Sequence, residues 1–316
     1  MEKQGIVIHP EELTNQMIDI LKKTNINVLG LHPVGGGEAD KTLENFLQLF
    51  ATKDFQDKLG QVRSLGIAIE YEMHALSWMM PRTLYETHPE WFRMNKDGER
   101  VNDYNLCVSN QEALDYLSDG AEKLASILKS DTGRYYLWAD DALDAFCNCE
   151  KCQQLSPSDQ GLMIYHAMLK GIRRVDANAK QCYLAYHERN AAPKKVKPEE
   201  GIFLEYAPMW RDTMIPMADP ACEKNVKFCE KIEPLLAYFG KKDAQVLEYW
   251  LDNSLFSDWK KPPKPITICV DTIRKDILFY KKCGFEGITT FGCYLSDDYI
   301  ELHGKPPIVE YGACFE

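Results

Sequence analysis

Short apolar runs recur along the chain, and most are followed by a stretch with helical periodicity. The runs at 5–9, 27–33, 67–74, 135–140, 182–187, 202–207, 245–251 and 287–294 have the length and the Val, Ile, Leu and Tyr content of strands. Apolar spacing at 11–24, 54–65, 111–129, 160–175, 222–239 and 267–283 predicts helices between them. Ser109-Asn110-Gln111-Glu112 reads as a capping box that opens the third helix. Strands alternating with helices in this way predict an α/β protein, a (β/α)8 TIM barrel formed by a single domain over 1–316. No Gly/Ser or Pro linker and no internal repeat interrupts it. Two connections depart from the pattern. Only 190–201, rich in Pro, Lys and Glu, separates strands five and six, so the fifth helix is expected to be short or missing. The connection after strand three, 75–110, is long, as binding loops and lids are.

Alternation within the strands predicts which side chains face the barrel interior. In strand three, Ile67, Ile69, Tyr71 and Met73 share one parity, and Glu70, Glu72 and His74 the other. Helices cover the outer face, so the acidic set is expected inside. The same reasoning turns His9, His32, Trp138, Asp140, His187, Glu205, Glu248 and Trp250 inward, and Leu31, Leu137, Leu184, Leu204, Leu247 and Tyr249 outward. Polar side chains then gather at the C-terminal ends of the strands, where barrel enzymes place their chemistry. A one-residue slip in a strand reverses its assignment.

Composition narrows the field. The net charge of −11 argues against nucleic acid and against an anionic membrane surface. No apolar run reaches the ~18 residues of a spanning helix. The first residues do not read as an export leader, and eleven cysteines in a large chain fit reduced thiols better than a disulfide framework. Both observations point to the cytoplasm. There is no Gly-rich phosphate loop and no G-x-S-x-G elbow.

The chemistry centres on 135–141, an aromatic run that ends in Asp140-Asp141. Adjacent carboxylates repel, which raises one pKa toward the value a general acid needs. Asp141, supported by Asp140, is therefore the expected acid of a glycoside hydrolase, with Glu248 as second carboxylate and Glu205 in reserve. The six tryptophans all map to strand ends or the loops beyond them; Trp138, Trp210 and Trp250 are expected sugar platforms, though core packing is the alternative for each. His32, His74 and His187 are expected to bind sugar hydroxyls. No cofactor is expected for catalysis. Two other readings use the same residues: a glycan-binding barrel without turnover, and a metal-dependent hydrolase or isomerase built on the rim histidines with Glu70 or Glu72. No H-x-H or H-E-x-x-H spacing supports the metal version. Cys147, Cys149 and Cys152 form a C-x-C-x-x-C cluster that, with Cys107 as fourth ligand, would suit a structural zinc; three reduced thiols folded against the loop are the alternative.

Several segments resemble a known family. The run from His88-Pro89-Glu90-Trp91-Phe92 to Gly98, then 105–110, Asp140-Asp141, the C-x-C-x-x-C cluster, Ser158-Asp159 and Leu184-Ala185-Tyr186 are similar to the bacterial barrels catalogued as domain of unknown function 4838. The resemblance covers about 80–210 well and the rest loosely. It implies a TIM-type barrel related to hexosaminidases and α-glucuronidases, acting on an oligosaccharide or glycoside. In the hexosaminidase relatives an Asp-Glu pair ends strand four. Here Asp140-Asp141 takes that place, so the second side chain is one methylene shorter.

Overall fold

A computed structural model describes residues 2–315. Its strands are β1 (Lys3–Ile8), β2 (Val28–Leu31), β3 (Ala68–His74), β4 (Arg134–Trp138), β5 (Lys180–Ala185), β6 (Ile202–Tyr206), β7 (Gln245–Glu248) and β8 (Gly287–Phe291). They close a barrel in the order β1 to β8, with helices in the connections. This is the (β/α)8 architecture that the alternation of strands and helices predicts. Several strands stop earlier than expected: β4 ends at Trp138 and β7 at Glu248. Asp140, Asp141 and Trp250 therefore sit in the loops that follow. The chain divides into two compact units, one of residues up to His32, Leu49–Glu70 and Glu205 onward, the other of Pro33–Gln48 and Tyr71–Leu204.

In the first unit a buried polar layer identifies the inner face. Lys3 Nζ pairs with the Glu70 carboxylate and donates to Gln245 Oε1 at 2.6 Å, and Gln245 Nε2 donates to Glu205. Glu70 and Glu205 thus point where alternation puts them. Strand β7 does not. With Gln245 inward, Leu247 and Tyr249 share its side, and Glu248 and Trp250 lie opposite. Tyr249 meets Phe291 at 5.3 Å, whereas Glu248 meets Tyr280 of the outer helix Val270–Cys283.

In the second unit the helices Gln111–Ile127 and Pro157–Ile172 pack closely. A Cβ on Gly171 would lie 1.9 Å from the Ser118 carbonyl oxygen, so that contact requires glycine. The N-cap of the first helix is Asn110, whose side chain accepts from Ala113 N, not Ser109. The capping box belongs to the second helix, where Ser156 and Asp159 satisfy each other's backbone N–H groups. Asp159 Oδ1 also accepts from the backbone N of Lys194, Lys195 and Val196 at 2.7–2.9 Å. That carboxylate orders the β5–β6 connection, whose only described helical turn is the 3-10 turn His187–Arg189. Strand β5 shows a second reversal. Tyr183 faces Tyr165 of the outer helix and Cys182 faces Trp138, so Leu184 is on the inner side by alternation. The helix Ala39–Phe50 was not foreseen from the spacing.

Candidate functional site

The two acids after β4 have different environments. Asp140 is 4 % exposed. Its carboxylate accepts from Asn105 N at 2.6 Å and Ser77 N at 3.2 Å and pairs with Arg82. Asn105 Oδ1 in return accepts from Asp140 N at 3.0 Å. Arg82, Ser77 and Asn105 all belong to the connection 75–110, so Asp140 pins that connection to the end of β4. Its lone pairs are committed to the fold.

Asp141 is the acid that faces outward, with 29 % of its side chain exposed. His187 Nε2 lies 3.5 Å from its Oδ1. His187 reaches it through a left-handed backbone, φ 49°, rather than by strand alternation. Its ring lies 3.7 Å, centre to centre, from that of Tyr186. His74, the last residue of β3, donates Nδ1–H to the Ala139 carbonyl at 2.7 Å; a carbonyl only accepts, so the tautomer is set. Burial pushes the Asp141 carboxyl up, but His74, His187 and Arg189 outweigh it and hold it well below the usual carboxylate range. Gly35 closes the other side: a Cβ there would lie 2.8 Å from His74 Cδ2 and 3.6 Å from Asp141 Oδ2. A group held this firmly as an anion suits electrostatic stabilisation of developing positive charge. It is the reverse of the raised pKa expected for a general acid. The repulsion expected from Asp140 is absorbed because Arg82 neutralises Asp140.

Trp138 is 1 % exposed, meets His74 edge-on at 5.1 Å and directs its indole N–H at Cys182 Sγ. It supports His74 from beneath and has no open face for a sugar. Sequence reasoning missed Arg82, which nothing local marks.

The first unit holds the other candidates. Glu248 has no exposed side-chain area and accepts from Arg211 Nε at 2.9 and 3.1 Å and from Tyr280. Arg211 also pairs with Asp276. Trp250, 2 % exposed, packs against Arg211 and Tyr311. Neither Glu248 nor Trp250 is on the inner face, because a cation from the loop after β6 meets Glu248 on the outside. Glu205 is inward but fully buried. His32 stacks on His9 at 5.9 Å and contacts Phe291 edge-on at 5.1 Å. Trp210 is 47 % exposed, the one expected platform with an open face. Glu12, also missed, accepts from His9 N at 3.0 Å and from Tyr294 N. Burial pushes its carboxyl up to about 7, against the opposing pull of His9.

Cys107, Cys147, Cys149 and Cys152 come together in the second unit. Among the described residues they form a group of ligating side chains whose donor atoms all lie within 4.8 Å of one another, and the rim histidines are not part of it.

A family model described as a domain of unknown function, DUF4838, matches residues 50–297. The chain belongs to this family. No curated protein matches the sequence of this DUF4838 chain. Among solved structures, it is similar to Gan42B, a GH42 beta-galactosidase, with TM-score 0.57 and 12 % identity over 99 % of this chain and 56 % of that one. It also resembles a mutant O-GlcNAc hydrolase from Thermobaculum terrenum, with TM-score 0.54 and 10 % identity over 98 % of this chain and 62 % of that one. The clostridial cellulose synthase subunit Z from Clostridioides difficile aligns over 100 % of both chains with TM-score 0.50 and 9 % identity. These likenesses show the (β/α)8 barrel fold. The DUF4838 chain spans just over half the length of the beta-galactosidase it matches.

Proposed function

We propose that this DUF4838 chain is a glycoside hydrolase acting on an oligosaccharide or glycoside, with Asp141 as its central carboxylate. The observation that carries the reading is an acid at the end of β4, partly exposed and held ionised between two imidazoles. Glycoside cleavage develops positive charge at the anomeric carbon, and a fixed anion lowers the energy of that state. His187 Nε2 lies 3.5 Å from Asp141 Oδ1, and the orientation of His74 is fixed by the Ala139 carbonyl. A reducing compartment, the cytoplasm, belongs to the same proposal: none of the described cysteines is in a disulfide. No helix among the described residues is long and apolar enough to cross a membrane.

The test is turnover of a panel of aryl glycosides and native oligosaccharides by wild type and Asp141→Asn. A fall in kcat of about 100-fold or more, in a variant that still unfolds cooperatively, is expected. A variant that turns over like wild type would remove Asp141 from the chemistry. A second reading, a glycan-binding barrel without turnover, draws support from the commitment of Asp140 and Glu248 to buried contacts. Saturable glycan binding with no product across the panel would establish it.

A further inference from the structure

Four thiols take no part in the chemistry around Asp141, and they converge where two loops meet. Cys107 comes from the connection 75–110, and Cys147, Cys149 and Cys152 follow β4. Cys107 Sγ lies 3.7 Å from Cys149 Sγ and 3.9 Å from Cys152 Sγ, and all four sulfurs lie within 4.8 Å of one another. A disulfide needs sulfurs about 2.05 Å apart. Four Zn–S bonds of about 2.3 Å at tetrahedral angles put the sulfurs about 3.8 Å apart. The observed spacing is that of ligands, not of a bridge.

The surroundings fit thiolates. Met94 N donates to Cys147 Sγ at 3.3 Å, and Arg100 Nη1 lies 3.8 Å from the same sulfur. Ser109 Oγ is 3.2 Å from Cys107 Sγ and 3.5 Å from Cys149 Sγ, which explains why Ser109 does not cap the helix that begins at Gln111. A dication with four thiolates carries a net charge of −2, and these donors offset it. Cys107, Cys147, Cys149 and Cys152 are each less than 9 % exposed, so the centre has no open side for a substrate. An all-sulfur, closed, tetrahedral set selects zinc over calcium or magnesium and is structural rather than catalytic.

We propose that Cys107, Cys147, Cys149 and Cys152 bind one Zn2+ in a closed four-thiolate centre that staples the connection 75–110 to the segment after β4. Each thiol releases its proton to solvent on binding, and no electron is transferred. The staple acts beside the Asp140 clamp: Cys107 stands two residues beyond Asn105, whose backbone N–H binds Asp140. The centre is independent of whether the barrel turns over a glycan.

The experiment is elemental analysis of the full chain, purified without added metal and dialysed, for wild type, Cys149→Ser and Cys222→Ser. Cys222 lies outside the cluster. One zinc per chain is expected in wild type and Cys222→Ser, and little or none in Cys149→Ser. Because Cys149→Ser could fail to fold, wild type is also treated with a thiol reagent under native conditions. The four cysteines are expected to react only after a chelator strips the metal. Reconstitution of the stripped protein with Co2+ should produce the visible bands of tetrahedral thiolate cobalt. Wild type that holds no metal and exposes four reactive thiols overturns the proposal, as do two disulfides found by mass spectrometry. Stoichiometric iron would overturn the assignment to zinc.

Discussion

Replacing Arg211 with Met tests the placement of Glu248 on the outer face. Arg211, Glu248 and Asp276 have no exposed side-chain area. The guanidinium binds both Glu248 oxygens through Nε, pairs with Asp276 through Nη2, and donates through Nη1 to the carbonyls of Asp212 at 3.0 Å and Ile215 at 3.1 Å. Methionine fills similar space but strands two buried carboxylates and two carbonyls. Breaking a buried pair from one side costs about 3–5 kcal/mol. Folded domains hold only about 5–15 kcal/mol in total, so Arg211→Met should be severely weakened yet measurable. The cost depends on pH. Burial already pushes Asp276 up to about 6, with Arg211 opposing and Glu248 reinforcing the rise. Without Arg211 the Asp276 carboxyl rises further, and its protonation then relieves the defect. The loss should be largest near pH 8 and smaller near pH 5. Urea unfolding followed by tryptophan fluorescence at both pH values measures it, with Glu248→Gln alongside. A loss under about 1 kcal/mol at pH 8, or the same loss at both pH values, would refute the buried-network account. Glu248→Gln that is as stable as wild type but inactive would return Glu248 to the chemistry.

Three further outcomes follow from the geometry. Gly35→Ala puts a methyl 2.8 Å from His74 Cδ2 and should lower kcat/KM or glycan affinity by about 1–3 kcal/mol while far-UV circular dichroism stays constant; unchanged kinetics would mean Gly35 does not wall the site. Glu12, pushed up to about 7 from 4.5, contributes stability that is fully present below about pH 4.5 and lost as pH rises through 7, on the order of 3 kcal/mol. Wild type should therefore show a higher urea midpoint at pH 5 than at pH 8, and that difference should shrink in Glu12→Gln; an equal difference in both proteins would contradict the assignment. Asp159→Ala removes a capping box and three backbone contacts to 194–196, so about 2–4 kcal/mol of stability should be lost and limited proteolysis should cut within 190–201. Resistance of that segment equal to wild type would show it is held by other contacts.

Local pattern determined the architecture. The apolar runs and their spacing specify eight strands, a short or missing fifth helix and a long connection after β3, because strand and helix periods are properties of consecutive residues. In β3 the alternation of Glu70, Glu72 and His74 with Ile69, Tyr71 and Met73 left one orientation, and Lys3 meets Glu70 where that orientation puts it. In β7 both parities of Gln245-Val246-Leu247-Glu248-Tyr249-Trp250 carry large apolar side chains, so alternation had no purchase. The charge on Glu248 was tolerable outside only because Arg211, 37 residues earlier, arrives to neutralise it. Asp140 and Asp141 are chemically equal neighbours in the sequence. Asn105, Arg82 and Ser77, 35 to 63 residues away, claim the first and leave the second to His74 and His187. The C-x-C-x-x-C spacing marked three thiols, and the turn of the preceding loop brought Cys107 to them from 40 residues upstream. Periodicity says where a side chain can point. Which charge it keeps depends on partners that only the tertiary fold brings within reach.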